Sequence, residues 1–162
     1  MYGTAHAAVA ASAVTLLKLS QPFAVLAVSW VSHYACDAVP HGDTVPAAAT
    51  ALERQRWYHQ SINAALIDTG LLFWLWHRRN QRRGHSWPFT LAVLGSLGPD
   101  ALQMVERLIG IRFFWGWPEA VHRFCHNPFD VILPLWLGWL LQLALAASLW
   151  RWLLKSPPEE RP

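Results

Sequence analysis

The feature that most constrains this chain is an apolar stretch near its C-terminus, residues 131–150, which contains no charged side chain. A helix of about 20 apolar residues is long enough to cross the hydrocarbon core of a bilayer, which is about 30 Å thick. The chain as a whole is 54% hydrophobic and only 14% charged, whereas soluble domains carry about 25% charged residues. The sequence therefore predicts an integral membrane protein built from helices.

Five segments have the length and apolar character of helices, and Pro, Gly and polar residues separate them. The predicted helices cover approximately residues 4–19, 22–39, 46–76, 88–108 and 127–154. An aromatic, partly amphipathic connection at 110–125 joins the last two. We therefore predict an all-α, polytopic membrane protein with about five helices in an up-and-down bundle. A single helical membrane domain would span 1–155, followed by a polar tail at 156–162.

Basic residues mark one end of this predicted bundle. They lie between the third and fourth helices, after the fifth helix, and between the first two helices: Arg78, Arg79, Arg82, Arg83, Arg151, Lys155 and Lys18. The positive-inside rule puts this end in the cytoplasm. Up-and-down topology then gathers the histidines and aspartates of distant segments at the other end, on the extracytoplasmic side.

The densest group of such residues follows the second predicted helix. His33 and Asp37 are four residues apart, so they lie on one face of a helix and can converge on one ion. Pro40 ends the helix, and the chain could bring His41 or Asp43 back towards the same point. Zinc accepts histidine nitrogen and carboxylate oxygen. The alternative is a buried His–Asp hydrogen bond that joins two helices.

Two further segments carry candidate ligands. Asp100 follows Gly98-Pro99, where it is either a metal ligand or the N-cap of a following helical turn. His122 and His126 would share a face if a short helix runs to Cys125, whereas Asp130 would lie in the first turn of the last predicted helix, where the helix dipole favours it. His6, near the start of the first helix, is either an interfacial histidine or a further ligand.

Other polar residues within apolar segments have open interpretations. Asp68 lies inside the third predicted helix, where a carboxylate is a functional candidate unless it pairs with Asn63 or Thr69. Cys36 and Cys125 each precede a candidate ligand, and we expect small buried packing residues rather than thiolate ligands. The arginines do not form a stripe with exposed aromatic residues, so the sequence does not indicate a nucleic-acid partner.

The segment from His33 to His41 resembles the His-x-x-x-Asp-x-x-Pro-His element of small bacterial membrane-bound metal-dependent hydrolases. Pro99-Asp100 and the stretch His122 to His126 are similar to further elements of that group, and His6 is a looser match. The first element is also similar to part of zinc-dependent phospholipase C. The order of the elements departs from one branch of the group, and Ala101 replaces an aspartate that many relatives have.

The resemblance implies a metal-dependent hydrolase of the bacterial inner membrane, acting on a phosphoester or a lipid head-group ester. The predicted ligands of a divalent metal, zinc above others, are His6, His33, Asp37, Asp100, His122 and His126. We expect His41 or Asp130 to carry a proton, and Arg123 to bind an anionic group of a lipid or amphiphilic substrate. The alternatives are a non-enzymatic metal-binding or ion-transporting membrane protein, with Asp68 on the path, and a structural subunit.

Overall fold

In this computed structural model of the protein, the structure describes residues 3–39, 50–111, 116–125 and 133–155. Those residues form helices and short connections, with no strand among them, which confirms the prediction of an all-α protein. The six helices are α1 (Gly3–Leu16), α2 (Pro22–Asp37), α3 (Ala51–Arg83), α4 (Trp87–Ile109), α5 (Trp117–Cys125) and α6 (Leu135–Lys155).

The longest helix, α3, differs from its predicted bounds at both ends. Thr50 is its N-cap: the Thr50 side chain accepts from the Glu53 backbone N–H, and Glu53 reaches back to the Thr50 N–H. These hydrogen bonds to Thr50 hold the pKa of Glu53 below its usual value, because they favour the charged carboxylate. At the other end α3 continues past residue 76 to Arg83, and Gly84 follows with a φ of 77°.

Proline residues at the starts of α2 and α4 agree with prediction, but Pro99 does not end a helix. It lies inside α4, which runs unbroken to Ile109 before Gly110 takes a left-handed conformation with a φ of 72°. Asp100 therefore lies within α4, and the interpretation of Asp100 as an N-cap is wrong. The last helix begins at Leu135, later than predicted, and α5 lies within the segment expected to be a connection.

The core of the bundle is built around α1. This helix contacts α2, α3, α4 and α6, and its alanines at positions 5, 7, 8, 10 and 11 are at most 1% exposed. Small side chains let neighbouring helices approach closely. Leu72, Phe89 and Trp150 fill the space around them from α3, α4 and α6. The consequence is that residues on α1 lie at the centre of the bundle.

The C-terminal ends of α3 and α6 meet at one end of the bundle. The Arg83 guanidinium donates two hydrogen bonds, of 3.0 and 3.3 Å, to the Leu154 carbonyl oxygen. Arg79 nearby stacks over the Phe89 ring at 4.2 Å. The basic residues after the third and last predicted helices therefore do lie together, as the up-and-down arrangement requires.

Only α6, over residues Trp136–Lys155, is long and apolar enough to cross a bilayer among the helices in the described ranges. The helix α1 is apolar but has 14 residues. These two observations support one candidate membrane span among the described residues, so the predicted multi-pass arrangement stays a prediction.

Candidate metal centre

Five predicted ligands from four helices meet in one cluster at the C-terminal end of α2. His6 comes from α1, His33 and Asp37 from α2, Asp100 from α4, and His122 from α5. The Asp37 carboxylate is central. Its Oδ1 lies 3.3 Å from Nε2 of His6. Its Oδ2 lies 3.1 Å from Nε2 of His33 and 3.4 Å from Nε2 of His122. Oδ1 of Asp100 lies 3.7 Å from Nε2 of both His33 and His122.

These separations are long for direct pairing between a histidine and a carboxylate. Charge-assisted N–H···O hydrogen bonds are typically about 2.7–2.9 Å, and the five N···O distances run from 3.1 to 3.7 Å. Donor atoms bound at about 2.0–2.2 Å to one zinc ion lie roughly 2.8–3.6 Å apart, for bond angles of about 90–109°. The three distances to Asp37, from 3.1 to 3.4 Å, fall within the range for neighbouring ligands of one ion, whereas the two distances to Asp100, 3.7 Å, are slightly longer than that range.

The hydrogen bond on the far side of the His33 ring decides what Nε2 can do. Nδ1 of His33 is 2.7 Å from the Ser96 carbonyl oxygen, which can only accept, so Nδ1 carries the proton and donates. In the neutral ring Nε2 then has a lone pair, and it faces the Asp37 carboxylate at 3.1 Å. Two electron-rich atoms this close require a cation between them, either a proton or a metal ion. A histidine fixed by a carbonyl in this way is typical of metal ligands.

His6 adds a second buried imidazole to the cluster. It is fully buried, its Nε2 faces the Asp37 carboxylate at 3.3 Å, and its Nδ1 has no hydrogen-bond partner in the described part of the chain. Its ring stacks on that of His33, with centroids 4.1 Å apart and planes 19° apart. Burying an unsatisfied polar group costs about 1–3 kcal/mol. A metal ion held between His6, His33 and Asp37 would bind His6 through Nε2, the nitrogen that faces Asp37.

Close packing of α2 against α4 sets the position of His33. A Cβ added to Gly95 would lie 3.1 Å from both Leu26 Cδ2 and Ser29 Cβ, and one added to Gly98 would lie 3.1 Å from Trp30 Nε1. These two glycines therefore allow a contact that larger residues would prevent. Pro99, which has no backbone N–H to donate, lies in the same turn of α4 as Ser96, whose carbonyl accepts from His33.

Contacts at the start of α1 set the position of His6. The Asp68 carboxylate accepts from the Thr4 backbone N–H at 3.0 and 3.3 Å, and the Thr4 hydroxyl donates to the Asp68 carbonyl at 3.1 Å. The Trp150 indole N–H donates to the Thr4 carbonyl at 3.1 Å. A carboxylate at a helix N-terminus satisfies free N–H groups and suits the helix dipole. Asp68 thus anchors the helix that carries His6.

The cluster is closed on one side and open on the other. The side chains of His6, His33 and Asp37 are at most 1% exposed, whereas that of Asp100 is 47% exposed. The Tyr34 ring, which is partly exposed, lies 5.5 Å from His33 and 6.2 Å from His122 between ring centroids. Solvent or a substrate can therefore approach from the side of Asp100, while the other donors stay dry.

Most of the remaining predicted site residues lie outside the described residues, namely His41, Asp43, His126 and Asp130. The remaining one, Arg123, lies in α5.

The two cysteines are not among the residues placed to bind a metal ion together. Those residues form two sets of donors, His6–His33–Asp37 and His33–Asp100–His122. Burial raises the pKa of the Cys125 thiol, and the nearby Asp37 charge adds to the effect.

Two contacts that hold the cluster in place were not predicted from the sequence, the hydrogen bond to the Ser96 carbonyl and the contact between Asp68 and Thr4. The Ser96 carbonyl has no side-chain signature, although the Gly95–Gly98 spacing, three residues apart on one helix face, would have indicated a close helix contact. Asp68 was considered only as an intramembrane acid or as a partner of its own helix. Its actual partner, Thr4, is 64 residues away in sequence.

Comparison with protein-family models, with curated proteins and with solved structures found no match to this chain. The resemblance to membrane-bound metal-dependent hydrolases therefore stays a prediction. The case for a functional site depends on the cluster geometry alone.

Proposed function

We propose that this protein is a membrane-embedded, metal-dependent hydrolase whose cluster of His6, His33, Asp37, Asp100 and His122 holds a divalent ion. The observation that carries the proposal is the His33 ring. Its Nδ1–H is committed to a backbone carbonyl, and its Nε2 faces a buried carboxylate at a distance that suits a shared ion. The proposal takes zinc as the ion, because nitrogen and carboxylate ligands suit it, and three donors such as His6, His33 and Asp37 would leave one position for water.

The chemistry follows from the open side of the cluster. A bound divalent ion lowers the pKa of a coordinated water towards about 7 and polarises an ester or phosphoryl oxygen. Asp37 and His6 are buried and hold the closed side, and Asp100 lies at the opening, where it is placed to accept a proton from an attacking water. We propose a phosphoester or a lipid head-group ester as the substrate, with Arg123 binding its anionic group and His41 or Asp130 as additional proton carriers.

A multi-pass arrangement is part of the proposal. Its support is the apolar span of α6 together with large apolar side chains turned outward on three helices. Leu66, Ile67 and Phe73 of α3, Leu94 of α4, and Leu140 and Leu143 of α6 are all more than half exposed. Such a surface is unusual in a soluble monomer and suits lipid. With Lys18, Arg82, Arg83, Arg151 and Lys155 at the cytoplasmic end, the cluster faces the extracytoplasmic side of a bacterial inner membrane.

The second candidate, a metal-binding or ion-transporting protein, has less support. Its distinctive residue was Asp68, placed on a polar path through the membrane. Asp68 instead binds the start of α1 through Thr4, and a carboxylate used in this way is a structural element. We therefore favour the hydrolase.

Metal analysis of the purified full-length protein tests the first half of the proposal. The wild type should contain zinc or another divalent ion in at least one-to-one ratio, and His33→Ala should contain none. His59→Ala is the matched control, because His59 is an exposed histidine of α3 and should retain the ion. If wild type and His33→Ala both lack metal after loading with excess zinc, the buried pair shares a proton and the metal site does not exist.

Hydrolysis assays test the second half. Phosphate monoesters, phosphate diesters and phospholipids in mixed micelles form the substrate panel. Asp100→Asn should keep most of the metal, because His6, His33 and Asp37 remain. Its turnover should fall by about 100-fold or more, since general acid–base groups typically contribute about 10²–10⁴-fold. A metal-loaded wild type that turns over none of these esters would reject the hydrolase and leave a metal-binding protein.

A further inference from the structure

A groove between α3 and α6 is a second feature of the molecule, and it lies away from the cluster of histidines and aspartates. The groove has a volume of about 350 Å³. Leu71 and Leu75 form its α3 side, and Leu143, Ala147 and Leu154 form its α6 side. From Leu71 to Arg82 the α3 helix rises about 16 Å. The groove is therefore long, narrow and apolar, which is the shape and chemistry of a site for an acyl chain.

Three cations line the same groove at one end. Arg82 comes from the end of α3, and Arg151 and Lys155 come from the last two turns of α6. The bond between Arg83 and the Leu154 carbonyl holds these two helix ends together. No ion pair joins any of the three to an acidic residue within the described ranges. An anion with an apolar tail would complement both parts of the groove.

We propose that this groove binds an anionic phospholipid, with one acyl chain along the leucines and its phosphate between Arg82, Arg151 and Lys155. The proposal rests on the membrane location put forward above. None of the five cluster residues lines the groove, so the bound lipid is a ligand of the bundle and not the substrate. It would fasten α3 to α6 along the groove that these two helices line.

Native mass spectrometry of the full chain in detergent, with added phosphatidylglycerol or phosphatidylcholine of equal acyl length, tests this site. The wild type should bind one phosphatidylglycerol at least tenfold more tightly than phosphatidylcholine. Arg151→Gln/Lys155→Gln should weaken phosphatidylglycerol binding by about tenfold or more, since each nearby cation contributes substantially to anionic lipid binding. Lys18→Gln/Arg78→Gln removes two exposed charges near the same end and should leave it unchanged.

The apolar half of the groove has its own matched pair of variants. Ala147→Phe fills the groove and should abolish binding, whereas Ala144→Phe, at an exposed position of α6 outside the groove lining, should not. Equal binding of the two lipids, or an equal effect of the two charge variants, would overturn the proposal in favour of diffuse attraction to the membrane surface. Tighter lipid binding by Glu159→Gln/Glu160→Gln with none by the wild type would mean that the chain's own tail covers the cations.

Failure of this site and failure of the metal site give different results. His33→Ala should bind phosphatidylglycerol as the wild type does, and Arg151→Gln/Lys155→Gln should retain stoichiometric metal. A protein that prefers phosphatidylglycerol but binds no metal would reject the hydrolase and keep the lipid groove. A protein that binds metal but shows no lipid preference would reject the lipid groove and keep the metal site.

Discussion

Replacing Gly95 by alanine should damage metal binding although no donor atom changes. The new Cβ would lie 3.1 Å from Ser29 Cβ, and ordinary contact begins at 3.4 Å, so α2 must move away from α4 by about 0.3 Å. Ser29 is fully buried and cannot give way. His33 lies one turn further along α2, and its 2.7 Å bond to the Ser96 carbonyl would lengthen with that movement.

The expected size of the effect follows from this displacement. A movement of about 0.3 Å would lengthen the bond between His33 and the Ser96 carbonyl to about 3.0 Å, which weakens the bond without breaking it. Zinc affinity should therefore fall by up to about tenfold, the lower end of the 10–100-fold effect of removing a supporting group. Alanine in a helix gains about 0.5–1 kcal/mol over glycine, while overpacking costs about 1–3 kcal/mol, so the metal-free protein should lose between zero and roughly 2.5 kcal/mol of stability.

The assay is a zinc titration against a competing chelator, paired with thermal unfolding of the metal-free protein. Gly70→Ala is the matched control, because Gly70 also lies inside a helix and a Cβ there meets nothing within 4 Å. This control should gain about 0.5–1 kcal/mol of stability and keep its zinc affinity. If Gly95→Ala binds zinc as tightly as the wild type, the α2–α4 contact does not set the cluster, and the reasoning is refuted.

Three further predictions concern the donors and their anchor. Asp37→Asn should reduce zinc affinity more than 100-fold, because Asp37 faces His6, His33 and His122. That loss would exceed the range typical of supporting residues, and retention of zinc measured by atomic spectrometry would contradict it. Asp68→Leu should destabilise the protein by about 0.5–2 kcal/mol through loss of a helix cap, and it should also weaken zinc binding, since α1 carries His6. Asp68→Asn keeps one acceptor oxygen, so it should lose less stability and less zinc affinity. A chelator should lower the unfolding temperature of the wild type, because a ligand at 100 times its Kd contributes about 2.7 kcal/mol; an equal response of His33→Ala would show that the chelator acts elsewhere.

The gathering of the donors could be predicted because it needed only the order and direction of the helices. His6, Asp37 and Asp100 belong to helix parts that an up-and-down bundle brings to one end, and the structure brings them together. Spacing alone could not decide between ligands and helix-joining hydrogen bonds. The position of the His33 proton also could not be predicted, because it depends on a backbone carbonyl of another helix.

Helix bounds failed where tertiary contacts override local signals. Residues 77–83 are polar, yet α3 continues through them because Arg79 stacks on Phe89 and Arg83 binds the Leu154 carbonyl. One alternative for Asp100 was the N-cap of a new helical turn after Pro99, but α4 continues through Pro99. The surrounding helices retain the turn, with Trp30 packed beside Gly98 and His33 bound to Ser96.

Asp37 is buried and Asp100 is half exposed. This difference assigns the affinity for an ion mainly to Asp37 and the rate of ion exchange mainly to Asp100. Asp37 is dry and central, so changes there alter the equilibrium constant. Asp100 is half exposed, so bulk or charge added beside it would chiefly alter the exchange rate of a bound ion. A cluster built this way could keep an ion for long periods while still admitting water to it.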